Sequence, residues 1–266
     1  MKGLAACLLA GCAVPEGVLN LSSAEPAPPR VLNATGPVVV LQAGLGDGAS
    51  SWRALERGLS AKHTVLALDR PGYGARRWGD GPRDPCTVAA ELRAQLQGAG
   101  LQPPYLLVGH SLGGLYQWAY SRLYPEEVAG LLLIEPTHPE HWQRLQAQVP
   151  ALAGFVRLMR VSSFGMAARR EFDDQAECNT RLLAARPAQM PYSRLLVRAR
   201  FSNPMETGAF EQLMRQEWHD WLKLSGAATA EPVADSGHYL HQDQTAQVQR
   251  VIEAMASQAQ PGRAAR

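Results

Sequence analysis

The 266 residues are 46% hydrophobic and 19% charged, and 26 basic side chains against 24 acidic ones leave a formal net charge of +2. That composition excludes a disordered chain and, with acids and bases interspersed and no basic stripe, excludes a nucleic-acid surface. A chain of this length builds one large domain around a substantial core, and no internal repeat divides it.

The chain opens with Lys2, an apolar run from Leu4 to Ala10, and Gly11 before Cys12. One early charge, a short apolar core and small residues ahead of a cysteine resemble a bacterial lipoprotein signal. Residues 1–12 are therefore expected to be a signal, with membrane anchoring through a lipidated Cys12 in a bacterial envelope. The competing reading is a mis-assigned start or a short hydrophobic tail on a cytoplasmic protein. The segment is too short to cross a bilayer as a helix. Residues 13–36 read as an N-terminal segment, with a Pro- and Ala-rich linker over 22–30.

From residue 37 onward, apolar runs alternate with helix-like segments, the pattern of a parallel sheet covered on both faces. Val38 to Leu41 is a β-branched run ending at Ala43-Gly44, and Ala49 to Ser60 carries helical spacing through Trp52, Leu55 and Leu59. Thr64 to Leu68 is the next strand, followed by the turn-rich Asp69-Arg70-Pro71-Gly72-Tyr73-Gly74. Val88 to Gly98 reads as a helix closed by glycines. Tyr105 to Val108 and Gly130 to Glu135 are further strands, nearly all apolar as buried parallel strands are. After Glu135 the alternation stops. Residues 137–192 show helical spacing and scattered bulky apolar groups, which predicts a helical cap inserted over the strand ends. Strand character returns at Arg194 to Val197, a helix follows over Phe210 to Leu224, and a weak strand near Pro232-Val233 leads into Asp235-Ser236-Gly237-His238. Gln244 to Ser257 closes the domain, which spans 37–258, and 259–266 is a tail.

Gly109-His110-Ser111-Leu112-Gly113 sits between an apolar strand and a helix-like segment. The turn in such a strand-to-helix elbow is sharp, so Gly109 and Gly113 leave room for it and lift the serine hydroxyl clear of the sheet. The pentapeptide alone is weak evidence, and the pattern lacks the features of a P-loop or a dinucleotide site. A serine nucleophile needs a base to take its proton, an acid to orient that base, and two N–H donors for the developing oxyanion. His238, late in the chain on a loop after a short strand, is the candidate base, with His241 as its competitor. His110 reads as packing, and His63, His138, His141 and His219 as solvent-facing or structural.

Four segments resemble the α/β-hydrolase family: 41–52, 66–74, 106–116 and 234–243. The last two look like the nucleophile and histidine loops of serine esterases and lipases of the pimeloyl-ester-esterase-like group. The resemblance implies an α/β fold with a mostly parallel eight-stranded sheet, helices on both faces, a helical cap and no cofactor. It implies oxyanion donors at the backbone N–H groups of Leu45 and Leu112, although Ala43 stands where family members commonly carry histidine. It implies an acid after one of two strands. The stretch 198–204 directly after the strand ending at Val197 holds no aspartate, so Glu135, at the end of Gly130 to Glu135, is the choice. Glu206 and Asp220 are alternatives, and Asp235 is too near His238 in sequence.

The expected activity is cleavage of a small-molecule carboxylic ester through an acyl-enzyme on Ser111. The same scaffold supports C–C hydrolases, lyases, cofactor-free perhydrolases and non-catalytic ligand receptors, which are the rival readings. No cysteine or histidine cluster has metal-ligand spacing. If Cys7 and Cys12 belong to the signal, Cys86 and Cys178 are left either to pair in an oxidising compartment or to stand as unrelated thiols.

Overall fold

The computed structural model describes residues 36–259, apart from 75, 78, 80, 186–188 and 202. The expected signal, Cys12 and all but the first residue of the tail thus lie outside the described residues, as does the linker. In chain order the elements are β1 (Val38–Gln42), α1 (Arg53–Leu59), β2 (Val65–Ala67), α2 (Pro85–Gly98), β3 (Tyr105–His110), α3 (Leu112–Leu123) and β4 (Val128–Ile134). Four helices follow, α4 (His141–Gln148), α5 (Pro150–Ser162), α6 (Met166–Asp173) and α7 (Gln175–Ala184). The chain then returns through β5 (Tyr192–Arg198), α8 (Ala209–Ser225), β6 (Ala230–Val233), α9 (Leu240–Asp243) and α10 (Thr245–Gln258).

The strands form one sheet in the order β2-β1-β3-β4-β5-β6. Every neighbouring pair is parallel. The described residues thus hold six strands where eight were expected. That number came with the family resemblance, whereas the residues themselves offer six apolar runs of strand length.

Alternation along the strands splits the core into two layers. Val40, Leu107, Leu131, Leu133, Leu195 and Val197 point to the face covered by α2, α3 and α8. Val39, Leu41, Leu106, Val108, Leu132 and Ile134 point to the face covered by α1 and α10, against Trp52, Leu59 and Ile252. Burial on both faces explains why β3 has no exposed position.

All strands run the same way, so their C-terminal ends open on one edge of the sheet, where α/β proteins place ligands. Helices α4–α7 lie between β4 and β5 in sequence and supply side chains above that edge. A disulfide between Cys86 and Cys178 joins the first turn of α2 to α7, with a Cα–Cα distance of 5.8 Å. The two cysteines left unassigned by sequence are therefore partners. Among the described residues no helix is long and apolar enough to cross a membrane.

Candidate active site

Ser111 joins β3 to α3 with φ 54° and ψ −122°. A non-glycine residue at positive φ is strained and persists only where its surroundings hold it. They do so here: the Ser111 N–H donates to the Ile134 carbonyl at 3.0 Å, and its own carbonyl accepts from Gly114 and Thr137 at 2.9 and 3.0 Å. A Cβ on Gly109 would overlap the Gly113 carbonyl, and one on Gly113 would overlap the Gln42 carbonyl. Glycine is required at both positions by close backbone approach, as the sequence pattern suggested.

The loop after β1 lies against this elbow. A Cβ on Gly44 would come within 3.1 Å of the Ser111 Cβ. Leu45 and Leu112 both line the cavity beside Ser111. Neither backbone N–H has an acceptor among the described residues. Arg70 holds the Ala43-Gly44 turn of this loop. Its guanidinium donates to the Ala43 carbonyl at 2.6 Å and the Gly44 carbonyl at 2.7 Å. It also donates to Glu171 on α6 at 2.5 and 3.0 Å. The Tyr73 hydroxyl donates to Glu171 at 2.8 Å and accepts from Gly46 N–H at 3.3 Å. Burial works against the Arg70 charge, but the Glu171 carboxylate overrides it and raises the guanidinium pKa.

Histidine 238 follows β6 and lines the same cavity with 27% of its side chain exposed. The His110 ring holds this loop, its Nε2 lying 2.9 Å from the His238 carbonyl. Glu135 directly follows β4, at φ 47°. Its Oε2 is 3.5 Å from His238 Nδ1. Arg198, the last residue of β5, donates its backbone N–H to Glu135 at 2.8 Å and its Nε–H at 2.7 Å. It also reaches Glu206 through Nη1 at 3.0 Å. Burial works to raise the Glu135 pKa, yet Arg198, followed by His238, holds it below the ordinary carboxylate value. The Arg198 Nη2 stands 3.0 Å from His238 Nδ1. Arginine only donates, so this contact favours a bare Nδ1, whereas Glu135 only accepts while ionised and favours Nδ1–H. Two groups of opposite preference thus share one ring nitrogen.

The other sequence candidates fall elsewhere. His241 is buried, with its ring 4.3 Å from that of Trp52, and does not line the cavity. Burial, with the His238 charge second, pulls its pKa down to about 3. Asp220 pairs with Arg144 at 2.7 Å on the outer side of α8 and has no contact with His238. Glu206 lines the cavity and is bound to Arg198. Asp235 is 77% exposed and faces Arg200.

The cavity measures about 400 Å³. Its floor is Ser111, Glu135, Arg198 and His238, and α4–α6 and α8 add Trp142, Leu152, Val156, Phe172, Phe210 and Met214. Three features escape a reading of sequence alone. Glu171 meets Arg70 across 101 residues, and His141 meets Glu217 across 76. Asp47 also lines the cavity, where burial pushes its carboxyl above the ordinary range despite a hydrogen bond from Tyr239. Such pairs have no local spacing. The one legible hint is helical spacing at Glu217, which falls among Leu213, Met214 and Trp221 on the apolar face of α8 and so demands a partner.

A family model described as the α/β hydrolase fold matches residues 37–223. Among curated proteins, the chain is 40% identical over 100 residues to a candidate carbamate hydrolase, RutD, of Klebsiella pneumoniae (strain 342), the match covering 37% of each chain. It is 36% identical over 104 residues to a (lyso)-N-acylphosphatidylethanolamine lipase of Mus musculus, covering 38% of this chain and 30% of that one. The matches thus span about a third of these relatives' length. Among solved structures, a thermophilic esterase from Thermogutta terrifontis superposes with a TM-score of 0.56 at 18% identity, covering 85% of this chain and 92% of that one. With a serine elbow at the edge of a parallel sheet and a family match over most of its length, the chain belongs to the α/β hydrolase fold family.

Proposed function

We propose that the protein is a serine hydrolase that cleaves carboxylic esters through an acyl-enzyme on Ser111. One observation carries the reading: the strained Ser111 elbow opens into a cavity shared with His238, which lies 3.5 Å from the buried Glu135. In this reading His238 Nε2 takes the Ser111 proton as the oxygen attacks the ester carbonyl. Glu135 accepts from Nδ1–H and stabilises the imidazolium that forms. The backbone N–H groups of Leu45 and Leu112 receive the oxyanion. His238 then protonates the departing alcohol, and water repeats the sequence on the acyl-enzyme. The apolar side chains above the floor suit an acyl chain or an apolar alcohol. Relatives named as lipase, esterase and carbamate hydrolase support hydrolysis as the reaction class.

A fluorophosphonate probe tests the proposal. Labelling should fall on Ser111 and vanish in Ser111→Ala, together with hydrolysis of a short p-nitrophenyl ester. Retention of that hydrolysis by Ser111→Ala would reject it. The contact of Arg198 with His238 Nδ1 favours a second reading, a receptor that binds ligand without turnover, because a bare Nδ1 leaves the proton on the nitrogen that must act as base. Ligand binding with neither labelling nor hydrolysis is the outcome that selects it. The lipoprotein reading is a separate proposal, supported by a disulfide of the kind kept in oxidising compartments. Recovery in the membrane fraction, lost in Cys12→Ala, is its test.

A further inference from the structure

Two histidines, each paired with a carboxylate, face one cavity. The first is His238 with Glu135. The second, His141 on α4 with Glu217 on α8, has no part in the acyl transfer described above. Both Glu217 oxygens lie close to His141 Nδ1, at 3.1 and 2.8 Å. Glu217 is completely buried, and among the described residues His141 is its one hydrogen-bond partner. Burying a carboxylate without a partner is costly, and His141 is the group that supplies one. Burial works against the His141 charge, but Glu217 overrides it and raises the pKa.

The His141 side chain keeps 25% of its surface exposed, and the residue forms part of the cavity wall. With Nδ1 held by Glu217, Nε2 is the nitrogen left for a ligand, and no protein group among the described residues occupies it. The wall around it includes the apolar Trp142, Leu145, Phe210 and Met214, with the Phe210 ring 6.5 Å from that of His141, and the same cavity is lined by the charged Arg198 and Glu206. A charged donor set in such a wall selects for an acceptor at one position of the bound molecule, because any apolar group placed there leaves the donor unmet.

We propose that His141, positioned by Glu217, is a specificity-determining residue whose Nε2–H binds an oxygen acceptor carried by the substrate in addition to its reacting ester. The favoured ester then bears a carbonyl or carboxylate oxygen on the part that lies under α4 and α8. This deepens the ester-hydrolase reading and rests on it for the position of Ser111. The charged groups facing His141 are Glu217 from α8, Arg144 from its own helix and Arg198 from β5. The preference is greatest where His141 is protonated and fades as pH rises through its raised pKa.

Binding to the Ser111→Ala protein tests this without turnover. Methyl hexanoate, methyl 5-oxohexanoate and monomethyl adipate have matched chains that differ in the added oxygen, and calorimetry compares them. At least one oxygenated ester should bind about 10-fold more tightly than methyl hexanoate, the worth of one charge-assisted hydrogen bond. A gain for both identifies any oxygen acceptor, and a gain for monomethyl adipate alone identifies an anion. His141→Phe should abolish the preference. The double variant His141→Gln, Glu217→Gln keeps a neutral hydrogen-bonded pair if the single one misfolds, and it should lose the pH dependence of the preference. Equal binding of all three esters, or an unchanged preference in His141→Phe, would overturn the proposal. If the preference holds while the parent protein hydrolyses none of these esters, the ester-hydrolase reading fails and the binding site stands.

Discussion

Arg70 and Glu171 form a buried ion pair, 2.5 Å apart, that joins the α4–α7 insertion to the loop beside Ser111. The same guanidinium holds the carbonyls of Ala43 and Gly44, so one side chain orients the backbone that presents the Leu45 N–H. Glu171→Gln should therefore act in two ways. Leaving the buried Arg70 charge with a neutral partner should cost about 3–5 kcal/mol of stability. Loosening the loop should lower kcat more than it raises KM, because in the proposed mechanism the N–H it aims meets the oxyanion of the transition state. Urea unfolding and ester kinetics on the same variant check both effects. A kcat equal to the parent's would separate the ion pair from the oxyanion loop.

Glu135 and Asp220 provide a contrast between a carboxylate that faces His238 and one that does not. Glu135→Gln should lower kcat by about 10²–10⁴, the range expected when a histidine loses its orienting acid. Asp220→Asn, which breaks a surface ion pair with Arg144, should leave kcat within about twofold and shift stability by at most about 1 kcal/mol. Glu206→Gln should fall between them, since it removes one of two carboxylates from Arg198. Kinetics on the three variants rank the acids directly, and a Glu206→Gln defect larger than that of Glu135→Gln would reverse the assignment.

Three buried histidines should make the protein acid-labile. The His241 pKa is depressed by burial to about 3 and that of His138 to about 4, while that of His110 is also held low by burial. As pH falls below about 6.5, the unfolded chain takes up these protons before the folded one does. Stability is then lost progressively down to the folded pKa values. Glu135, whose pKa is lowered, adds to the loss as pH falls through its folded value. His141, whose pKa is raised, has the opposite sign and stabilises below its unfolded value. Unfolding free energy should fall between about pH 7 and about pH 5 with a slope of up to about 1.4 kcal/mol per unit for each buried neutral histidine. His241→Phe should make that slope shallower, and an unchanged slope would remove His241 from the account.

The Cys86–Cys178 disulfide bridges residues 92 apart and fastens α7 to α2. Replacing both cysteines with serine should cost about 2–4 kcal/mol, mainly through the loop freed in the unfolded chain. Thermal unfolding with and without reductant measures this: the parent should lose stability on reduction, and the double variant should be indifferent to it.

Local sequence determined the frame of this protein. A buried parallel strand must be apolar on both faces, so β1, β3, β4 and β5 announce themselves as short hydrophobic runs. The serine elbow was legible for a similar reason, since backbone approach at Gly109 and Gly113 excludes every larger residue within five positions of chain. That His238 and Glu135 come together was legible by position, each standing beyond the end of a strand whose end the parallel sheet carries to one edge. The strand count inferred from resemblance was too high for the described residues, because six runs of strand length are present in them. What only the tertiary structure decided is which charges meet. Arg70 finds Glu171, Arg198 finds both Glu135 and Glu206, and His141 finds Glu217 because buried charges must be compensated by whatever the packing brings near. That requirement holds in space, across separations that leave no pattern along the chain.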